Sequence, residues 1–144
     1  MKPKREAQRW FQQAQDDLRA VQWNLEGEFY AQACFLAQQA AEKALKSLLF
    51  YLGIRRDALL THSLAKLVEA AAKHISEAQT LSDAARELDL HYVASRYPNG
   101  LPDGTPFEFY TRSMAERAFQ AAEEIVEFVR AYYRRQGEEM NGES

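Results

Sequence analysis

Cysteine is nearly absent from the chain: Cys34 is the only one in 144 residues, which excludes a disulfide framework and a cysteine-based zinc site. Its position on the apolar side of a helical stretch reads as a small buried hydrophobe. Uninterrupted apolar runs of membrane-spanning length are missing, and the opening MKPKREAQRW lacks the apolar core of a signal peptide, so a soluble cytoplasmic protein is expected. No strong excess of one charge exists either. With 18 basic and 21 acidic residues the formal net charge is -3, which argues against general DNA binding through the phosphate backbone and leaves room only for a local basic groove. Glycine-rich phosphate loops, His/Asp/Glu clusters at metal-ligand spacing and nucleophile-with-base signatures are all missing, so neither a metal nor a cofactor is expected. Proline and glycine are sparse, four and six in all, and three of the prolines with two of the glycines fall between residues 97 and 110.

What remains is helical. From Phe29 to Leu52 small and apolar residues recur as Tyr30, Ala33/Cys34, Ala37, Ala40/Ala41, Ala44/Leu45, Leu48 and Tyr51/Leu52, the spacing of a buried helical stripe. Gln32, Gln39, Lys43 and Lys46 form a polar stripe beside it, and Glu42 with Lys46 is an i,i+4 pair in the favourable order. Leu49 and Phe50 widen the apolar surface, which predicts a central helix covered from several sides. Residues 4–26 carry Trp10, Ala14, Leu18, Val21 and Leu25 at helical spacing, ended by Gly27, so the first two helices form an antiparallel hairpin. Gly53 closes the second in the left-handed conformation. After the connector IRRDALLTH, Ser63 caps a short third helix with Leu64, Leu67, Val68 and Ala71 inward. Ser76 with Gln79 and Thr80 with Asp83 are competing capping boxes for a fourth, which carries Leu81, Ala84, Ala85, Leu88, Tyr92 and Val93 and stops near Tyr97, ahead of Pro98. Thr111 or Ser113 caps the last, running to about Arg135. The expectation is an all-α, up-and-down bundle of about five helices forming one domain over residues 1–135, with a frayed polar tail at 136–144.

Chemistry is concentrated in ARELDLHYVASRYP and the aromatic, proline-rich segment 97–110 after it, whose composition predicts an ordered loop. On one continuous helix Asp89, Tyr92/Val93 and Arg96 share a side, so Asp89 and Arg96 face one groove. Arg86 and His91 diverge by about 140° and meet on one substrate only through helix distortion or a second subunit. His62, just before the third helix, is placed to brace a connector by hydrogen bonding, and His74 lies at that helix's end.

Taken together, QQAAEKALKSLL at 38–49, THSLAKLVE at 61–69, LDLHYVASRYPNGLP at 88–102 and FYTRSMAERAFQAAEEI at 109–125 resemble the HEPN domain family of prokaryotes, and WFQQAQDDLRAV with EFYAQACFLAQQ fits its first hairpin, so the likeness spans about residues 8–133. The resemblance implies a helical bundle that commonly forms homodimers. Members are often encoded beside a minimal nucleotidyltransferase in two-component systems, frequently of toxin-antitoxin type. Some branches are metal-independent ribonucleases, marked by an arginine, four to six residues and a histidine, with a polar residue, usually Asn, Asp or His, directly after the arginine. Arg86 to His91 fits that spacing here, and it departs from the pattern in carrying Glu87 after the arginine. The branch resembled most carries His91-Tyr92 to Arg96-Tyr97-Pro98 instead.

Three functions follow as expectations. The first is a non-catalytic HEPN module that dimerises, holds a minimal nucleotidyltransferase and binds a nucleotide through Arg86, Arg96 and Tyr97. The second is a ribonuclease toxin acting on RNA, with His91 as acid or base and Arg86 stabilising phosphate charge. The third is a ligand-free dimerisation scaffold. Divergence of Arg86 from His91, together with the acidic Glu87 and Asp89, favours the non-catalytic reading.

Overall fold

The computed structural model describes residues 2–140. Eight α-helices and two 3-10 turns account for most of them, and no strand occurs among the described residues. Helix α1 (Lys2–Glu26) and α2 (Tyr30–Tyr51) form the expected hairpin, followed by α3 (Arg55–Leu60), α4 (Leu64–Ala72), a 3-10 turn at Ser76–Leu81, α5 (Ser82–Asp89), α6 (His91–Ala94), a 3-10 turn at Pro98–Gly100, α7 (Pro106–Phe109) and α8 (Arg112–Arg135). Five of these, α1, α2, α4, α5 and α8, make the up-and-down bundle.

Helix α2 sits in the middle because its alanines leave room. Ala33, Ala37, Ala40, Ala41 and Ala44 have no exposed surface, so α1 and α8 lie close against it while Leu45, Leu48, Leu49 and Phe50 fill the far end. The aromatics near residues 50 and 132 belong largely to this interior. Phe50 and Tyr133 are buried; Phe11 meets Tyr133 edge-on at 5.5 Å and Trp10 tilts over Phe50 at 5.5 Å. Ser47 joins three helices: its hydroxyl donates to the Ala7 carbonyl at 2.6 Å and lies 2.7 Å from the Tyr133 hydroxyl.

The turn chemistry departs from expectation at one place. Gly53 is left-handed at φ 80°, and the Ile54 and Gly53 amides donate back to Leu49 and Phe50, closing α2 as expected. At the end of α1 the same hydrogen-bond pattern runs from Phe29 to Asn24 and from Glu28 to Leu25, which puts the left-handed position on Glu28 (φ 66°), one residue beyond Gly27. Ser63 and Thr111 cap α4 and α8 through the amides of Lys66 and Met114, as expected.

Three further expectations are corrected. The connector after Gly53 contains α3. The fourth helix does not start at either capping box: Ser76–Leu81 is a 3-10 turn in which the Thr80 hydroxyl donates to the Glu77 carbonyl, the Ser82 hydroxyl at the start of α5 donates back to the Gln79 carbonyl, and the helix is interrupted again at Leu90. Residues 136–140 of the polar tail are fastened, since Glu138 accepts from the Tyr51 hydroxyl at 3.0 Å and pairs with Lys4 at 2.7 Å while Met140 is buried. Residues 141–144 of that tail lie outside the described part. No helix of the described residues is long and apolar enough to cross a membrane.

Candidate functional site

A chain of polar contacts leads from the core to the surface at Arg96. On α2, Gln38, Glu42 and Lys46 follow each other at i,i+4 and are all buried. Glu42 is the hub: it pairs with the Lys46 ammonium at 2.8 Å, accepts from the Gln38 amide at 3.0 Å and from the His62 ring at 2.8 Å. Thus His62 braces the segment before α4, as its position suggested. Its ring also stacks on Tyr92 at 5.0 Å with the planes 17° apart. The Tyr92 carbonyl in turn accepts from Arg96 Nε at 2.9 Å and Nη2 at 2.7 Å, while the guanidinium lies over Phe35, Tyr92 and Tyr97 at 4.5, 4.8 and 4.9 Å. Two of the five N–H donors of Arg96 are engaged there, leaving three for a ligand.

Arg96 borders a groove of about 560 Å³, within the range of small-molecule sites. Asn24, Gln32, Phe35 and Leu36 form one wall, Ser95 and Arg96 another, and Pro106 and Phe107 of α7 the third. The proline-rich segment therefore builds part of the site. Gly100 ends the 3-10 turn that packs on α6, where a Cβ at Gly100 would lie 2.9 Å from the Ala94 Cα, and Thr105 with Glu108 closes a capping box at α7. The lining holds one cation, no carboxylate and exposed aromatic faces, Phe107 at 76% exposure and Tyr97 beside it at 51%. Such a surface suits a planar ring carrying negative charge.

The other sequence candidates lie elsewhere. Asp89 does not face this groove with Arg96. Its carboxylate accepts from the Leu64 amide at 2.7 Å, the Ala65 amide at 3.0 Å and the Ser63 hydroxyl at 3.2 Å, capping the start of α4 from a neighbouring helix. His91 is buried, with Nδ1 2.8 Å from the Tyr110 hydroxyl and its carbonyl accepting from Ser95. Burial lowers its pKa, with Glu87 raising and Arg117 lowering it by lesser amounts, and burial also pushes the Tyr110 phenol up. Arg86 is exposed, touches Asp83 at 3.5 Å and lines a different groove between α4 and α5. The structure therefore brings Arg96 and Tyr97 together and separates Arg86 from both His91 and Arg96. Cys34 is buried, its thiol pushed up to about 12 by desolvation. Sequence reasoning missed Phe35 and Phe107, and it read Glu42 as the partner of Lys46 without its burial or its role as a hub. Phe107 lay in the flagged loop, but nothing in the pattern of α2 distinguished Phe35 from core.

A central alanine-rich helix in an antiparallel bundle, flanked by an arginine held among aromatic faces, defines an all-α bundle protein. The HEPN domain profile matches residues 7–132, and the chain belongs to the HEPN domain family. Among solved structures it is similar to a protein from Thermus thermophilus (38% identity, TM-score 0.81, covering 88% of this chain and 97% of that one). An archaeal HEPN homologue (33%, 0.74, 88% and 97%) and a HEPN domain protein from Thermotoga maritima (33%, 0.70, 88% and 98%) are similar as well. No curated protein matches the chain.

Proposed function

We propose that this chain is a non-catalytic HEPN module that dimerises, partners a minimal nucleotidyltransferase and binds a nucleotide in the groove beside Arg96. The observation that carries the ligand is the Arg96 guanidinium, held by the Tyr92 carbonyl among three aromatic rings at the edge of a groove without carboxylates. The base would stack on Tyr97 or Phe107 and the phosphate would take the free donors of Arg96. The partner and the toxin-antitoxin setting rest on the family resemblance. Dimerisation is supported by exposed apolar side chains, Trp23 at 74%, Leu60 at 71% and Leu90 at 73%. For a ribonuclease, by contrast, His91 would have to leave the interior and lose Tyr110 before meeting a phosphate.

Titration with adenine nucleotides followed by NMR is expected to move the signals of Arg96, Tyr97 and Phe107 first, and Arg96→Ala is expected to abolish the shifts. Unchanged binding by that variant would remove the proposed site. RNA cleavage in EDTA that disappears in His91→Ala would replace this reading with the ribonuclease one.

A further inference from the structure

Arg86, separated from His91 and from Arg96, faces a trough with its own chemistry. Between α4 and α5 a groove of about 340 Å³ is lined by Lys66, Lys73 and Arg86, with Gln79 and Ser82 on the rim and Ala65, Val68 and Ala72 below. Three cations stand there against one carboxylate, Glu69, on a chain whose formal net charge is -3. Among the described residues neither lysine ammonium has a carboxylate within 4.0 Å. The only partner of Arg86 in that group is Asp83, at 3.5 Å and fully exposed, a pair that solvent screens and a ligand displaces at little cost. Lys66 and Lys73 are seven residues apart, two turns along one face, which separates them by about 10 Å along the axis.

From these positions we infer a second anion site, distinct from the Arg96 groove, that takes an extended, multiply charged phosphate ligand of at least a diphosphate. A single small anion reaches one ammonium and still meets Glu69, gaining little. A phosphate chain lying along the trough meets Lys66 at one end, Lys73 at the other and Arg86 across it, while Gln79 offers an amide donor. The groove floor is apolar and shallow, and no aromatic face lines it. Recognition is therefore of the phosphate chain, not of a base.

The test is NMR titration of the labelled full chain with tripolyphosphate, with sulfate and ATP in parallel. Tripolyphosphate is expected to shift Lys66, Lys73, Gln79, Ser82 and Arg86, and to bind at least about tenfold more weakly to Lys66→Gln/Lys73→Gln, since two charge-assisted contacts are lost. Both lysines are exposed, so circular dichroism of the variant is expected to match the parent. The tripolyphosphate-induced shifts at Lys66, Lys73 and Arg86 are expected to persist in Arg96→Ala, which separates this site from the nucleotide groove. ATP shifting the same trough supports a nucleoside polyphosphate as the source of the chain, and tripolyphosphate shifting it alone supports a free polyphosphate. Equal affinity in the double lysine variant, equal response to sulfate, or shifts confined to the Arg96 groove would each overturn the inference.

Discussion

Glu42→Ala tests whether the buried hub of α2 holds both the core and the groove. Glu42 and Lys46 are each 5% exposed, and their ion pair is 2.8 Å long. Removing the carboxylate leaves the Lys46 ammonium buried with only the Trp10 face nearby, 5.7 Å away, and strips the fully buried Gln38 amide of its short acceptor. Breaking a buried pair from one side costs about 3–5 kcal/mol, a large share of a domain stability of about 5–15 kcal/mol. His62 adds little to this loss, since 60% of its side chain is exposed and water replaces the bond. The expected result is a loss of about 3–5 kcal/mol in urea unfolding followed by circular dichroism at fixed protein concentration, and a melting temperature on the order of 10 °C lower. Glu42→Ala/Lys46→Met removes both charges and is expected to recover part of the loss, with a coupling of at least about 1 kcal/mol. A loss below about 1 kcal/mol for Glu42→Ala, or a strictly additive double variant, would refute the view that the pair is buried and interdependent. His62→Ala separates the two roles, because it keeps the Glu42–Lys46 pair and frees Tyr92. Its stability is expected to stay near the parent's while nucleotide affinity falls.

Other outcomes follow from single contacts. Glu28→Gly is expected to stabilise the protein by about 1 kcal/mol, because Glu28 occupies a left-handed conformation (φ 66°) that glycine adopts without strain; a lower melting temperature would contradict the turn geometry. Asp89→Ala is expected to cost about 1–2 kcal/mol and to speed amide exchange at Leu64 and Ala65, both of which donate to its carboxylate. Because the pKa of His91 is lowered by folding, the unfolded chain takes up the proton first; the stability from its neutral ring is complete above the unfolded value of 6.5 and falls as pH drops through and below it. His91→Gln is expected to flatten that part of the stability profile, and an unchanged slope would show that His91 does not titrate on unfolding.

Elements whose signals are local were legible in the sequence. The alanine stripe of α2, the caps at Ser63 and Thr111 and the glycine closure at Gly53 each depend on residues within one or two turns, and all stand where the pattern placed them. The errors came where a distant group decides. Asp89 looked like a groove carboxylate from its spacing, but the free amides at the start of α4, 24 residues away in sequence, claim it. Likewise Thr80 looked like a helix cap and instead bonds to the Glu77 carbonyl within a 3-10 turn. The Glu42–Lys46 pair was visible, yet its burial was not, because helical spacing cannot show that Trp10 and His62 cover that side of α2.

The fate of Asp89 also bears on the chemistry open to the groove. Had it stayed beside Arg96, the site would have combined a carboxylate with a guanidinium, an arrangement able to move a proton as well as to hold a phosphate. With Asp89 capping α4 and His91 locked to Tyr110, the lining retains one fixed cation and aromatic faces. Such a set is chemically suited to hold negative charge and stack on a ring, and its lining contains neither a carboxylate nor an imidazole to transfer a proton. Arg96 is moreover oriented from within, through Tyr92, His62 and Glu42, so its geometry depends on core packing instead of on a mobile loop. A pre-oriented cation costs a ligand little ordering entropy, which favours affinity over turnover.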